Sequence, residues 1–159
     1  LGTVESIDLI GLAAEEGARV NAELDLQGLT HGSEHSQSVD DLAVQGVAKL
    51  LRRAVRNLLE NARRHAAGEI TLILARQGER AVIKVCDRGP GVPPELHERI
   101  FEPFYRLPGA TERDGGVGLG LALVRSIAQR HGGRAYCEDR AGGGGCFVIE
   151  LPLAASAVV

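Results

Sequence analysis

The sequence predicts an α/β sandwich, with helices packed on one face of a sheet. Three observations lead there. An apolar stripe of helical period runs from Val47 to Ala66. Two pairs of β-type runs are each joined by a glycine-containing turn, and a second helical repeat follows a glycine-rich stretch.

In order, residues 1–26 read as a strand ("TVESIDL"), a small helix ("IGLAAEEG") and a strand ("ARVNAELDL"). "QGLTHGSEHSQSVDD" is polar and punctuated by Gly and Ser, so it reads as a surface loop. The main helix places Val47, Leu50, Leu51, Ala54, Val55, Leu58, Leu59 and Ala62 on one side. "EITLILARQGERAVIKVCD" is a hairpin turning at Gln77-Gly78-Glu79. A Gly/Pro-rich loop from Arg88 to Pro94, a short helix near Glu95–Arg99 and an irregular stretch over 101–117 follow. The second helix stops at Gly132-Gly133, and "GRAYCEDR" with "GCFVIELPL" forms the second hairpin.

The 159 residues suffice for one domain with a core. That core is aliphatic, because only five residues are Phe or Tyr and none is Trp. A net charge of −3 gives no general attraction to nucleic acid or an anionic membrane. No run approaches the ~20 apolar residues of a membrane span, and no signal-peptide pattern opens the chain. Cys86, Cys137 and Cys146 are odd in number and set in apolar runs, so they read as buried thiols in a reducing compartment. The absence of methionine, even at position 1, reads as a piece of a longer protein.

"DGGVGLGLALV", from Asp114, asks for a phosphate. A Walker loop needs a Lys before Ser or Thr at the helix start, and the only lysines are Lys49 and Lys84. A dinucleotide fingerprint needs a preceding strand and a third glycine three residues on, and neither is present. Two readings stay open on this stretch alone: a glycine loop running into an anion-binding helix N-terminus, or a flexible linker.

Asn57 and Asn61 lie on the edge of the apolar stripe, and Arg64 continues their line. Amides near a buried face require partners. Those are either backbone groups or a hard cation such as Mg²⁺, which shares phosphate oxygens. Asp87 ends a strand and precedes glycines, which suits an acceptor for an adenine amino group or a turn-initiating Asp.

In order and spacing, these stretches resemble the catalytic ATP-binding domain of sensor histidine kinases, of the GHKL superfamily, over about residues 45–153. "RNLLENARRHA" resembles the N box, "DRGPGV" the first glycine box, "FEPFYR" the F box and "GGVGLGLALV" the second glycine box. The resemblance implies a two-layer Bergerat sandwich with a mixed sheet, spanning 1–159 as one domain. Within it, 1–45 would be a variable lead-in, 47–66 the N-box helix and 101–117 an ATP lid anchored by Phe101 and Phe104. Asn61 would ligate Mg²⁺, Asn57 would support the phosphates, and Arg64 and His65 would lie nearby. Asp87 would accept from adenine, above a pocket shaped by Gly89, Gly91 and Val92. Arg106 would reach the γ-phosphate, and Gly116, Gly118, Leu119 and Gly120 would offer backbone N–H groups.

ATP-hydrolysing relatives of this superfamily carry Glu four residues before the metal Asn, and here that residue is Asn57. The resemblance therefore implies phosphotransfer rather than hydrolysis. Glu60 reads as lying on the outer helix face. None of His31, His35, His65, His97 or His131 has the setting of a phosphoacceptor, so the acceptor is expected on a dimerisation domain outside this chain. A response regulator would act downstream. The domain would be cytoplasmic without membrane contact, within a kinase anchored in the membrane. The alternatives are an anti-sigma-factor-type serine kinase, against which the complete F box speaks, and a nucleotide-binding module without transfer activity.

Overall fold

The computed structural model describes residues 2–29, 42–65, 68–105 and 120–154. The elements are β1 (Glu5–Asp8), α1 (Leu9–Ala18), β2 (Glu23–Gln27), β3 (Ala43–Gly46), α2 (Ala48–His65), β4 (Thr71–Gln77) and β5 (Arg80–Asp87). Two 3₁₀ turns follow at Pro94–Leu96 and Arg99–Phe101, then α3 (Gly120–Arg130), β6 (Arg134–Asp139) and β7 (Gly145–Pro152).

Five strands form one sheet in the order β2-β4-β5-β7-β6, with β2 parallel to β4 and every other pair antiparallel. Alternate residues of these strands, among them Leu72, Leu74, Ile83, Val85, Phe147, Ile149 and Leu151, join the apolar sides of α1, α2 and α3 in one core. This is the expected two-layer sandwich with a mixed sheet. The other face holds a small cluster of Ala75, Val82 and Val148 under Tyr136. Buried Glu150 crosses that face, accepting from Tyr136 Oη at 2.5 Å and from Arg134 Nη2 at 3.1 Å.

Both hairpins form where expected, and α3 ends at the two glycines. There, Gly133 N–H bonds back to the Ala128 carbonyl at 2.9 Å. At the N-terminus the boundaries move. Ala18 ends α1 rather than opening a strand, and β2 begins only at Glu23. β3 was not anticipated: it pairs with β1 in a separate two-stranded sheet, Ile7 opposite Val44. Among the described residues, no helix is long and apolar enough to cross a membrane.

The cysteine expectation is corrected. Cys86 on β5 and Cys146 on β7 are direct register partners and are joined as a disulfide, with Cα atoms 4.1 Å apart. Only Cys137 is a buried free thiol, and burial pushes it up to about 12. The partners are 60 residues apart in the chain, so only the strand register reveals the pair.

Candidate nucleotide-binding site

α2 turns its Leu58, Leu59 and Ala62 fully into the core and leaves Asn57 and Asn61 half-buried beside them. The Asn57 Nδ2–H donates to the carbonyl of Gly120, the first residue of α3, at 3.4 Å. The amide edge of α2 therefore lies against the start of α3, where the first-turn N–H groups have no acceptor within the helix. Among the described residues, no hydrogen bond engages the Asn61 amide. Arg64 and His65 are exposed in the last turn of α2. Glu60 is held by Arg63 at 2.7 Å, on the outer side as expected.

Asp87, at the end of β5, is only 6% exposed. Its Oδ1 accepts the Gly89 N–H at 2.8 Å, which starts the "RGPGV" loop as an Asp-initiated turn. Gly91 follows with φ +76°, and a methyl there would lie 3.2 Å from the Gly144 carbonyl oxygen. Gly144 is the tighter position: at φ +100° a methyl would lie 2.0 Å from the Asp87 carbonyl oxygen, so only glycine fits. Val92 is buried, and its carbonyl accepts from His97 Nε2 at 2.9 Å. The same nitrogen is 3.7 Å from the Asp139 carboxylate. The loop is thus fixed at both ends, by Asp87 and by His97.

Phe101 is buried and packs edge-on against Phe147 at 6.3 Å. Arg125 of α3 lies over its ring at 4.3 Å and bonds Glu98 at 2.8 Å. Phe101 is thus held in the core. Phe104, expected as a second anchor, is instead 70% exposed, with a left-handed backbone (φ +66°) that turns it outward. Arg106, Gly116, Gly118 and Leu119 lie outside the described residues, so Gly120 is the described part of the second glycine box.

Sequence reasoning missed His97, Gly144 and Arg125. The run "AGGGG" carried a signal for Gly144, since consecutive glycines before a strand mark positive φ. Nothing periodic singled out His97 or Arg125.

Residues 46–155 match the family described as histidine kinase-, DNA gyrase B-, and HSP90-like ATPase. The chain belongs to this family. Within it, the chain is similar to the sensor protein CutS of Streptomyces coelicolor, 37% identical over 153 residues, 92% of this chain and 36% of that protein. It is also similar in structure to the mycobacterial sensor histidine kinase MprB, with a TM-score of 0.72 and 26% identity, covering 95% of this chain and 98% of that one. The ATP-binding domain of PrrB from Mycobacterium tuberculosis gives a TM-score of 0.69 at 28% identity, over 96% and 98%. Against the adaptive-response sensory kinase SasA of Parasynechococcus marenigrum and the sensor protein RstB of Escherichia coli, matched at 42% and 44% identity, the chain spans 28% and 24% of their length.

Proposed function

We propose that this chain binds Mg–ATP between the amide edge of α2, the start of α3 and the Asp87 corner. It then donates the γ-phosphoryl to a histidine on the dimerisation domain of the same sensor kinase. The observation carrying this reading is the Asn57–Gly120 contact, which puts the neutral Asn57 amide, with Asn61 one turn further along α2, beside a helix N-terminus. Such a place attracts an anion without supplying a competing carboxylate.

Each group has a distinct task. Asp87 Oδ1 holds the Gly89 N–H, leaving Oδ2 to accept the adenine amino group. Gly89, Gly91 and Val92 form the pocket floor, and His97 keeps it in place from behind. Asn57, Arg64, His65 and the N–H groups of Gly116, Gly118, Leu119 and Gly120 hold the phosphates, with Arg106 on the γ-phosphate from a lid spanning 101–117. The Asn61 oxygen fits Mg²⁺: it is half-buried, neutral and without a partner among the described residues. No three His, Cys, Asp or Glu side chains converge among those residues, so an ion shared with phosphate suits the site better than an all-protein cage. Mg²⁺ held by Asn61 would supply positive charge against the phosphates.

In the transfer, the acceptor imidazole nitrogen bonds to the γ-phosphorus and the bond to the ADP oxygen breaks. Positioning and charge stabilisation supply most of the catalysis. Asn57 cannot take a proton from water, so hydrolysis is disfavoured. A response regulator receives the phosphoryl group next, and the domain works on the cytoplasmic side of a membrane-anchored kinase. Residues 1–159 then act as one catalytic domain, with 1–45 as lead-in and 47–66 as the N-box helix.

The test mixes this chain with Mg–ATP and a dimerisation-helix fragment bearing the acceptor histidine. Acid-labile phosphohistidine on the fragment, and none on the chain alone, is expected. Nucleotide binding without phosphohistidine would instead assign a regulatory module, and acid-stable phosphoserine a serine kinase.

A further inference from the structure

On the sheet face opposite the helices, the Cys86–Cys146 disulfide joins β5 to β7. Each cysteine adjoins a residue of the nucleotide corner: Cys86 precedes Asp87, and Cys146 follows Gly145. Asp87 and Gly145 are themselves register partners. One step further, Gly144 passes Asp87 so closely that no side chain fits between them. The crosslink therefore holds together the two strand ends that shape the corner, one residue or ~3.4 Å away along each strand.

We propose that Cys86 and Cys146 form a reversible thiol-modification site, through which the surrounding thiol–disulfide balance sets nucleotide affinity at the Asp87 corner. This rests on the nucleotide reading of that corner. Reducing compartments open protein disulfides, so on the cytoplasmic side this crosslink is a state rather than a fixture. Two separate thiols need van der Waals separation where a bonded pair does not. Opening the bond therefore parts the ends of β5 and β7 and shifts Gly145 against Asp87. Gly142, Gly143 and Gly144, all at positive φ, give the adjoining turn the freedom to follow.

The reductant is a small dithiol, and the exchange balances. One of its thiolates attacks Sγ of Cys146, which is 6% exposed against 1% for Cys86. The S–S bond breaks, and Cys86 leaves as a thiolate and takes a proton. The second thiolate of the reductant then closes a cyclic disulfide on the first, releasing Cys146 as a thiolate that is protonated in turn. Two electrons pass from dithiol to protein, and an oxidised dithiol reverses each step. Cys137 stays outside the exchange, because it faces the core opposite Phe147 and burial raises its thiol to about 12.

The experiment first counts thiols by alkylation of the denatured chain, prepared without reductant and after dithiothreitol. One reactive thiol before reduction and three after are expected from the crosslink and the free Cys137. Calorimetric titration of both native forms with Mg–ATP follows. The reduced form is expected to bind at least about fivefold more weakly, the lower end of ordinary coupling between sites. Reoxidation is expected to restore affinity. Cys86→Ala with Cys146→Ala should match the reduced form and ignore reductant, and Cys146→Ser replaces it should the pair not fold. Three thiols before reduction, or equal affinities in the two forms, would overturn the proposal while leaving the nucleotide reading intact. A reduced form that loses its circular-dichroism spectrum would overturn it too. Absence of binding in both forms would overturn the nucleotide reading, and this inference with it.

Discussion

His131 Nε2 accepts the backbone N–H of Val47 at 3.1 Å, while its Nδ1–H donates to the Ile127 carbonyl at 2.8 Å. Val47 is the residue whose carbonyl starts α2, accepting from Leu50 and Leu51 at 3.0 Å. The end of α3 thus caps the start of α2 from 84 residues away. Both bonds require the neutral Nδ1–H tautomer. Gly46 makes room for the ring, since a methyl there would lie 2.5 Å from His131 Cδ2.

Losing this cap is expected to cost about 1–2 kcal/mol, as for other helix N-caps. Denaturant unfolding of His131→Ala and Gly46→Ala measures it. The double variant should be little worse than either single, because both remove the same contact. Full additivity would show that Gly46 serves some other purpose.

Glu16 ties α1 to α2 in a pH-dependent way. Its side chain is 2% exposed and bonds Arg56 at 2.7 Å and Arg52 at 2.9 Å. The Arg56 hydrogen bond is the largest influence; burial opposes it, Arg52 assists, and the carboxyl ends below its ordinary 4.5. A lowered carboxyl binds fewer protons folded than unfolded. Its stabilisation is therefore present above the ordinary value and lost as pH falls through the folded one. Glu16→Gln should cost about 2 kcal/mol at neutral pH, the scale of a hydrogen bond to a charged group. That difference should shrink toward zero in acid, read as paired midpoints at pH 7 and pH 3. A cost independent of pH would mean packing, not charge, holds the contact.

His97 should act on nucleotide affinity through the Val92 carbonyl alone. His97→Ala is expected to weaken ATP binding about threefold to tenfold, in line with loss of one hydrogen bond. His97→Gln, which keeps a donor on the same side, should recover most of it. Calorimetry in which the Gln and Ala variants bind equally weakly would place the effect in ring packing instead.

The main helix, both hairpins and the glycine stop of α3 were legible because local periodicity and turn chemistry specify them. Asn57, Asn61 and Asp87 were legible as polar groups in places that favour apolar ones or turns. What stayed hidden depends on register or on distant backbone. Cys86 meets Cys146 only once β5 pairs with β7, Gly144 is forced by the Asp87 carbonyl, and His131 caps a helix far upstream. β3 is four residues long and, among the described residues, pairs only with β1, too little for a two-residue period to stand out. Phe104 looked like a second anchor by type, and its left-handed backbone decided otherwise.

The central claim is that Asp87 reads the base while Asn61 serves the metal. Asp87→Asn keeps an oxygen for the Gly89 N–H and replaces only the second acceptor by a donor, so the turn survives and the adenine contact does not. Calorimetric titration of the chain with ATP, with and without Mg²⁺, tests this directly. Asp87→Asn should bind at least about tenfold more weakly in both conditions, ~1.4 kcal/mol. Asn61→Asp should depart from wild type mainly in the Mg²⁺-dependent part of binding. Wild-type affinity in both variants would contradict the account and place the nucleotide elsewhere.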